Sequence, residues 1–153
     1  MNKIKALAEG IYKKYGTSDP FLLCDELGIN TFRLKMPDRT NGLYYHIKGK
    51  KIILINDALS PAKARFTAAH ELGHALLHPD SNSFFLKSKT AFEIGRFERQ
   101  ADFFAVCLLV SPFEERADFS EISPEALSSL TGIEMSAIER AAASAHSVDD
   151  IEL

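Results

Sequence analysis

The run His70-Glu71-Leu72-Gly73-His74 sets two imidazoles four residues apart, with a carboxylate next to the first. On a helix, four residues turn the chain by ~400°, so His70 and His74 stack on one face. Two imidazoles on one face can both reach a single tetrahedral zinc ion. Glu71 falls ~100° further round, near such a metal but not on it. From there it can take a proton from the water that the metal activates. The chemistry is metal-assisted hydrolysis, with His70 and His74 as metal ligands and Glu71 as general base. Gly73 lies between the ligands, where a missing side chain lets another element pack closely. A surface helix with two histidines and a solvated glutamate would show the same five residues. Against that stand the apolar neighbours Phe66, Ala69, Leu72, Leu76 and Leu77, the extended segment just before, and a third donor further on.

Catalytic zinc usually takes three protein ligands and leaves one position open. Glu98, in Glu98-Arg99-Gln100-Ala101-Asp102, is the best third ligand, far enough beyond His74 for a loop and a returning helix. Glu98, Ala101, Asp102 and Ala105 share one helical face, and the two carboxylates are one turn apart. Burying both on an apolar face is costly unless cations meet them. A metal ion and a metal-bound histidine would do so. Glu98 is therefore read as the ligand, and Asp102 as the acceptor of the outer N–H of a ligand histidine. The roles could be exchanged, with Asp102 on the metal, or both carboxylates could pair with Arg96 or Arg99. His78 extends the face of His74 by another turn, but Pro79 follows it and no glycine turn brings it back. It is read as a helix-terminal or supporting residue, not a ligand. Tyr44, Tyr45 and His46 are candidates for polarising the scissile carbonyl, though a surface or core role suits each as well. His146 has no partner at ligand spacing.

These residues need a frame, and its signals are local. Lys3 to Tyr15 carries Ile4, Leu7, Ala8 and Ile11 at helical spacing, and Gly16 stops it. Asp19-Pro20 opens a second helix, which ends at Gly28. Asn30–Leu34 is a strand. Leu43–Ile47 and Lys50–Ile55 form a hairpin around Lys48-Gly49. The continuous apolar run Ile52–Ile55 predicts a strand buried on both faces. Ser60-Pro61 starts the helix bearing the histidines, which runs to about Leu77 because Pro79 forbids more. A polar loop spans 80–90. A further helix runs from Ala91 to Val110, where Ser111-Pro112 closes it and starts a short one. Ser123-Pro124 opens a C-terminal helix, Gly132 breaks it, and a last helix reaches Ala145. Helices, a small sheet, then helices is an α+β order.

The chain has 153 residues, 46% apolar and 25% charged, which fits one globular domain with a real core. The net charge of −3 disfavours nucleic acid as a partner. No run approaches the ~18 apolar residues of a membrane span. The N-terminal stretch lacks the apolar core of a signal peptide, and there are two cysteines, so a cytoplasmic location is expected. Cys24 and Cys107 have no ligand-spaced partner and read as buried small hydrophobes.

Several runs together resemble the ImmA/IrrE metallopeptidases, which are often carried by phages and mobile elements. They are Tyr15–Pro20, Ile52–Asn56, Arg65–His74, Phe97–Ala105 and Leu108–Pro112. The resemblance covers roughly residues 1–115. It implies a zincin-like core: a small twisted sheet, an active-site helix and surrounding helices. It also implies an endopeptidase that cleaves a partner helix-turn-helix repressor and so relieves repression. Residues 116–153 form a C-terminal helical extension. Leu127–Glu134 loosely resembles a helix-turn-helix, but the last helix offers only Arg140 as a base, so packing or repressor contact is expected rather than DNA binding. A competing reading is a non-catalytic protein that sequesters the repressor.

Overall fold

The computed structural model describes residues 3–80, 91–114 and 122–145. Most of the expected loop over 80–90, the boundary at 115/116 and His146 lie outside the described residues. The described elements are α1 (Lys3–Tyr15), α2 (Pro20–Glu26), β1 (Asn30–Leu34), β2 (Gly42–Ile47), β3 (Lys50–Asn56), α3 (Pro61–Leu77), α4 (Ala91–Glu114), α5 (Pro124–Thr131) and α6 (Met135–Ser144). The class is α+β.

Three helices start by the same device. The side chain of Asp19 accepts from the Phe21 N–H at 2.9 Å. Ser60 Oγ accepts from Lys63 N–H at 3.3 Å, and Ser123 Oγ from Ala126 N–H at 3.2 Å. In each case a proline follows at the first helical position, where no amide hydrogen is needed. The Ser60 cap is worth ~1 kcal/mol to the helix that carries the histidines.

The sheet has the order β1-β3-β2, with β1 parallel and β2 antiparallel to β3. The β2–β3 turn takes positive φ at both Lys48 and Gly49, the twist that suits a tight hairpin. α3 lies between this sheet and α4, while α1 and α6 pack on α4 and α5 packs on α6. Ile53, Ile55 and Tyr44 are buried on the face toward α3, and Phe104 and Leu108 are fully buried on α4. Each such side chain contributes ~1.5–3 kcal/mol relative to exposure.

Two expectations need correction. Ile52–Ile55 is not buried on both faces: Ile53 and Ile55 are, while Ile52 and Leu54 are half-buried. The outer face also carries Phe32, which pairs with Leu54 and is 54% exposed. The described helices cover one side of a three-stranded sheet, so only alternate residues reach the core. Nor does α4 end at Val110; it continues through Pro112 to Glu114. Pro112 costs the helix one amide hydrogen bond, to the Leu108 carbonyl, but only two helical residues follow it. Ser111 Oγ donates to the Cys107 carbonyl at 2.7 Å, and Lys5 on α1 holds Glu114 at 3.0 Å. No described helix is long and apolar enough to cross a membrane.

Candidate metal centre and catalytic cleft

α3 presents its two histidines edge to face, with ring centroids 4.8 Å apart and Nε2 atoms separated by 3.2 Å. What brings the third donor to them is the bare surface at Gly73. A Cβ there would lie 3.1 Å from Phe104 Cδ1, 3.2 Å from Ala101 Cα and 3.3 Å from the Ala101 carbonyl oxygen. α4 therefore rests backbone to backbone on α3, with Ala101 in the gap. Glu98 and Asp102, one residue or one turn from Ala101, are carried to the histidines.

The Glu98 carboxylate spans the pair, 3.1 Å from His70 Nε2 and 3.0 Å from His74 Nε2. Donor atoms of His70, His74 and Glu98 all lie within 4.8 Å of one another. Donors on a tetrahedral ion with bonds of about 2.0–2.1 Å are ~3.3 Å apart. The three separations are close to that edge, so these residues fit a small divalent ion. Asp102 Oδ1 accepts from His70 Nδ1 at 2.8 Å, which leaves the Nε2 lone pair of His70 for a metal. The other oxygen of Asp102 lies 3.7 Å from Arg140 Nε on α6. Among the described residues, Glu98 is paired with histidines and not with Arg96 or Arg99.

Electrostatics in the metal-free protein are those of charges competing for one small volume. Burial alone would lower the pKa of His70. The hydrogen bonds His70 donates to Asp102 and Glu98 outweigh it and push His70 up to about 10. Burial likewise opposes ionisation of Glu98, but both histidines hold it well below the usual carboxylate range. Glu71 is 7% exposed, and burial raises its pKa against the pull of His70 and His74. A carboxyl raised in this way suits a proton acceptor.

The sign of the pH dependence follows. A histidine whose folded pKa is raised stabilises fully below its ordinary value of 6.5 and loses that contribution as pH climbs toward about 10. The raised Glu71 acts in the same direction. Metal-free protein should thus melt at lower temperature as pH rises from 6.5 to 10. A metal must displace the His70 proton, so binding near pH 7.5 should release about one proton. Calorimetry in buffers of differing ionisation enthalpy measures it, and proton uptake would contradict the assignment.

A cleft of about 480 Å³ opens over these groups. Phe66, Thr67, His70 and Glu71 of α3 line it, together with Ala137 and Arg140 of α6 and Asn41 and Gly42 at the start of β2. Gly42 is needed there: a Cβ would meet Thr67 Cγ2 at 2.7 Å, the Leu54 carbonyl oxygen at 3.0 Å and Glu71 Cγ at 3.3 Å. Tyr44, Tyr45 and His46 do not line the cleft. β2 carries them away toward the end of α3, where the Tyr44 hydroxyl donates to the Pro79 carbonyl at 2.9 Å and His46 Nδ1 sits 3.1 Å from the same oxygen. His78 caps α3, with its Nδ1 3.1 Å from His74 Nδ1 and its Nε2 2.6 Å from Gln100 Oε1.

Sequence reasoning missed Gly42, Gln100 and Arg140. A glycine opening an apolar strand and an amide inside an apolar helix were the signals for the first two. Arg140 had none, because only tertiary packing brings α6 to the cleft. Gly73→Ala should separate α3 from α4, costing ~1–3 kcal/mol of stability and weakening metal binding, because the obstructing atoms include backbone. A melting curve and a metal titration would check this; unchanged values in both would contradict it.

Two histidines on one helix and a carboxylate from another, with an enclosed glutamate facing the same cleft, are an arrangement that could hold a metal ion beside a proton acceptor. Comparison with known proteins gives the class. Residues 24–140 match the peptidase family described as the IrrE N-terminal-like domain, and the chain belongs to that family. The α+β architecture agrees with its zincin-like fold. The chain is 40% identical over 107 residues to "Uncharacterized immunity region protein 2" of Bacillus phage phi105, a span covering 70% of this chain and 68% of the relative. It is 30% identical over 108 residues to "Metallopeptidase ImmA" of Bacillus subtilis (strain 168), covering 71% and 63%. Membership implies a metal ion, which His70, His74 and Glu98 could bind.

Proposed function

We propose that this protein is a zinc-dependent endopeptidase that cleaves a partner helix-turn-helix repressor and thereby relieves repression. The observation that carries the proposal is Glu71, buried beside a three-donor cluster and facing an open cleft. A purely structural metal site has no use for that carboxylate. His70, His74 and Glu98 would hold the zinc, and Asp102 would orient His70. Bound zinc would polarise the scissile carbonyl and acidify the attacking water.

The remaining steps belong to the chain. Glu71 accepts a proton from the water as its oxygen bonds to the carbonyl carbon. It passes that proton to the amide nitrogen as the C–N bond breaks, releasing an amine and a carboxylate. β2 is an edge strand, so extended substrate can lie along it by backbone pairing. The phage relative named for an immunity region supports a repressor as the partner. In the same proposal, residues 1–115 form the peptidase core and 116–153 a C-terminal helical extension packed on the same domain, with Ala137 and Arg140 lining the cleft, in the cytoplasm and without nucleic-acid contact of its own. The test is to mix the zinc-loaded protein with candidate repressors and look for a single cut by mass spectrometry. Intact repressors throughout, with zinc bound, would refute it.

A further inference from the structure

We propose that Gln100 and His78 form a hydrogen-bond relay that holds His74 in the one tautomer able to ligate a metal, making both of them positioning residues; this rests on the metal-centre reading above. Gln100 is 2% exposed and His78 is 7% exposed, so water does not satisfy their polar atoms. His78 Nε2 lies 2.6 Å from Gln100 Oε1. An amide oxygen only accepts, so His78 carries its hydrogen on Nε2. A buried imidazole bonded to a neutral amide carries a single proton, because that contact does nothing to offset the cost of burying a charge. His78 Nδ1 is therefore a lone pair. It faces His74 Nδ1 at 3.1 Å, and that contact needs the hydrogen on His74. A neutral His74 with its proton on Nδ1 has a bare Nε2, the atom that points to His70 and Glu98. Phe97 stacks on His78 at 4.1 Å and fixes the ring plane.

The two ligand histidines are thus supported differently. His70 leans on the Asp102 carboxylate, and His74 on a neutral imidazole. A carboxylate partner makes a ligand imidazole more basic. The neutral relay orients His74 without adding a further negative charge beside Glu98 and Asp102. A metal held there would keep more of its Lewis acidity for the attacking water.

Gln100→Met and Gln100→Glu separate this role from packing. Methionine keeps the volume but cannot accept, and glutamate can only accept. Zinc affinity is read by competition with a chromophoric chelator, stability by melting of the metal-free form, and tautomers by nitrogen-15 histidine spectra. Gln100→Met is expected to weaken zinc binding by ~10- to 100-fold with unchanged or higher melting temperature. Gln100→Glu should bind zinc within a few-fold of wild type despite melting lower. In both wild type and Gln100→Glu, His78 should carry its proton on Nε2, and in Gln100→Met it should show a mixture. Wild-type affinity in Gln100→Met, or equal losses in both variants, would overturn the relay. If the wild type binds no zinc, the metal-centre reading fails, and the spectra of the metal-free protein decide the relay by the same pattern.

Discussion

Glu71→Gln should abolish peptide cleavage while leaving the metal site filled. Glutamine has the shape of glutamate, so the packing of Glu71 beside Gly42 at the start of β2 is kept. Its amide cannot accept a proton from water, and loss of such a base costs ~100- to 10,000-fold in rate. Metal uptake should not change, because Glu71 is not among the three clustered donors. The variant also separates cleavage from capture. If Glu71→Gln relieves repression in cells as well as the wild type does, the protein acts by holding its repressor, and the hydrolytic reading is lost.

His74→Ala should remove both metal and activity. His74 offers one of the three donors, and its outer nitrogen anchors the buried pair His78 and Gln100. Truncation therefore deletes a ligand and leaves a buried imidazole without its donor. The expected fall in zinc affinity exceeds the ~10- to 100-fold typical of losing a supporting residue. His70→Ala should behave similarly, with Asp102 left facing Arg140. A His74→Ala protein that keeps a full complement of metal would contradict the ligand assignment.

The part of this site legible in the sequence is the part set by covalent spacing. A four-residue interval stacks His70 on His74 wherever a helix forms, and capping serines beside prolines marked where helices begin. Glu98 and Asp102 were legible because two carboxylates a turn apart in an apolar helix call for cations. Parallel pairing of β1 with β3 was not legible, since strand order depends on which long-range contacts bury most apolar surface. One-sided cover of the sheet escaped for the same reason: Ile52–Ile55 reads alike whether one layer of helices or two lie on it. Tyr44 and His46 seemed near the chemistry in sequence, yet the direction of β2 carries them to Pro79. Gly42, at the other end of the strand, reaches Glu71 instead.

The most direct test of a metal centre shared by α3 and α4 is elemental analysis of wild-type and Glu98→Ala protein, purified without a histidine tag. About one zinc per wild-type chain, the stoichiometry of a single catalytic site, and clearly less in Glu98→Ala is the expected result. No metal in either protein, even after zinc is supplied, would contradict the centre and with it the peptidase.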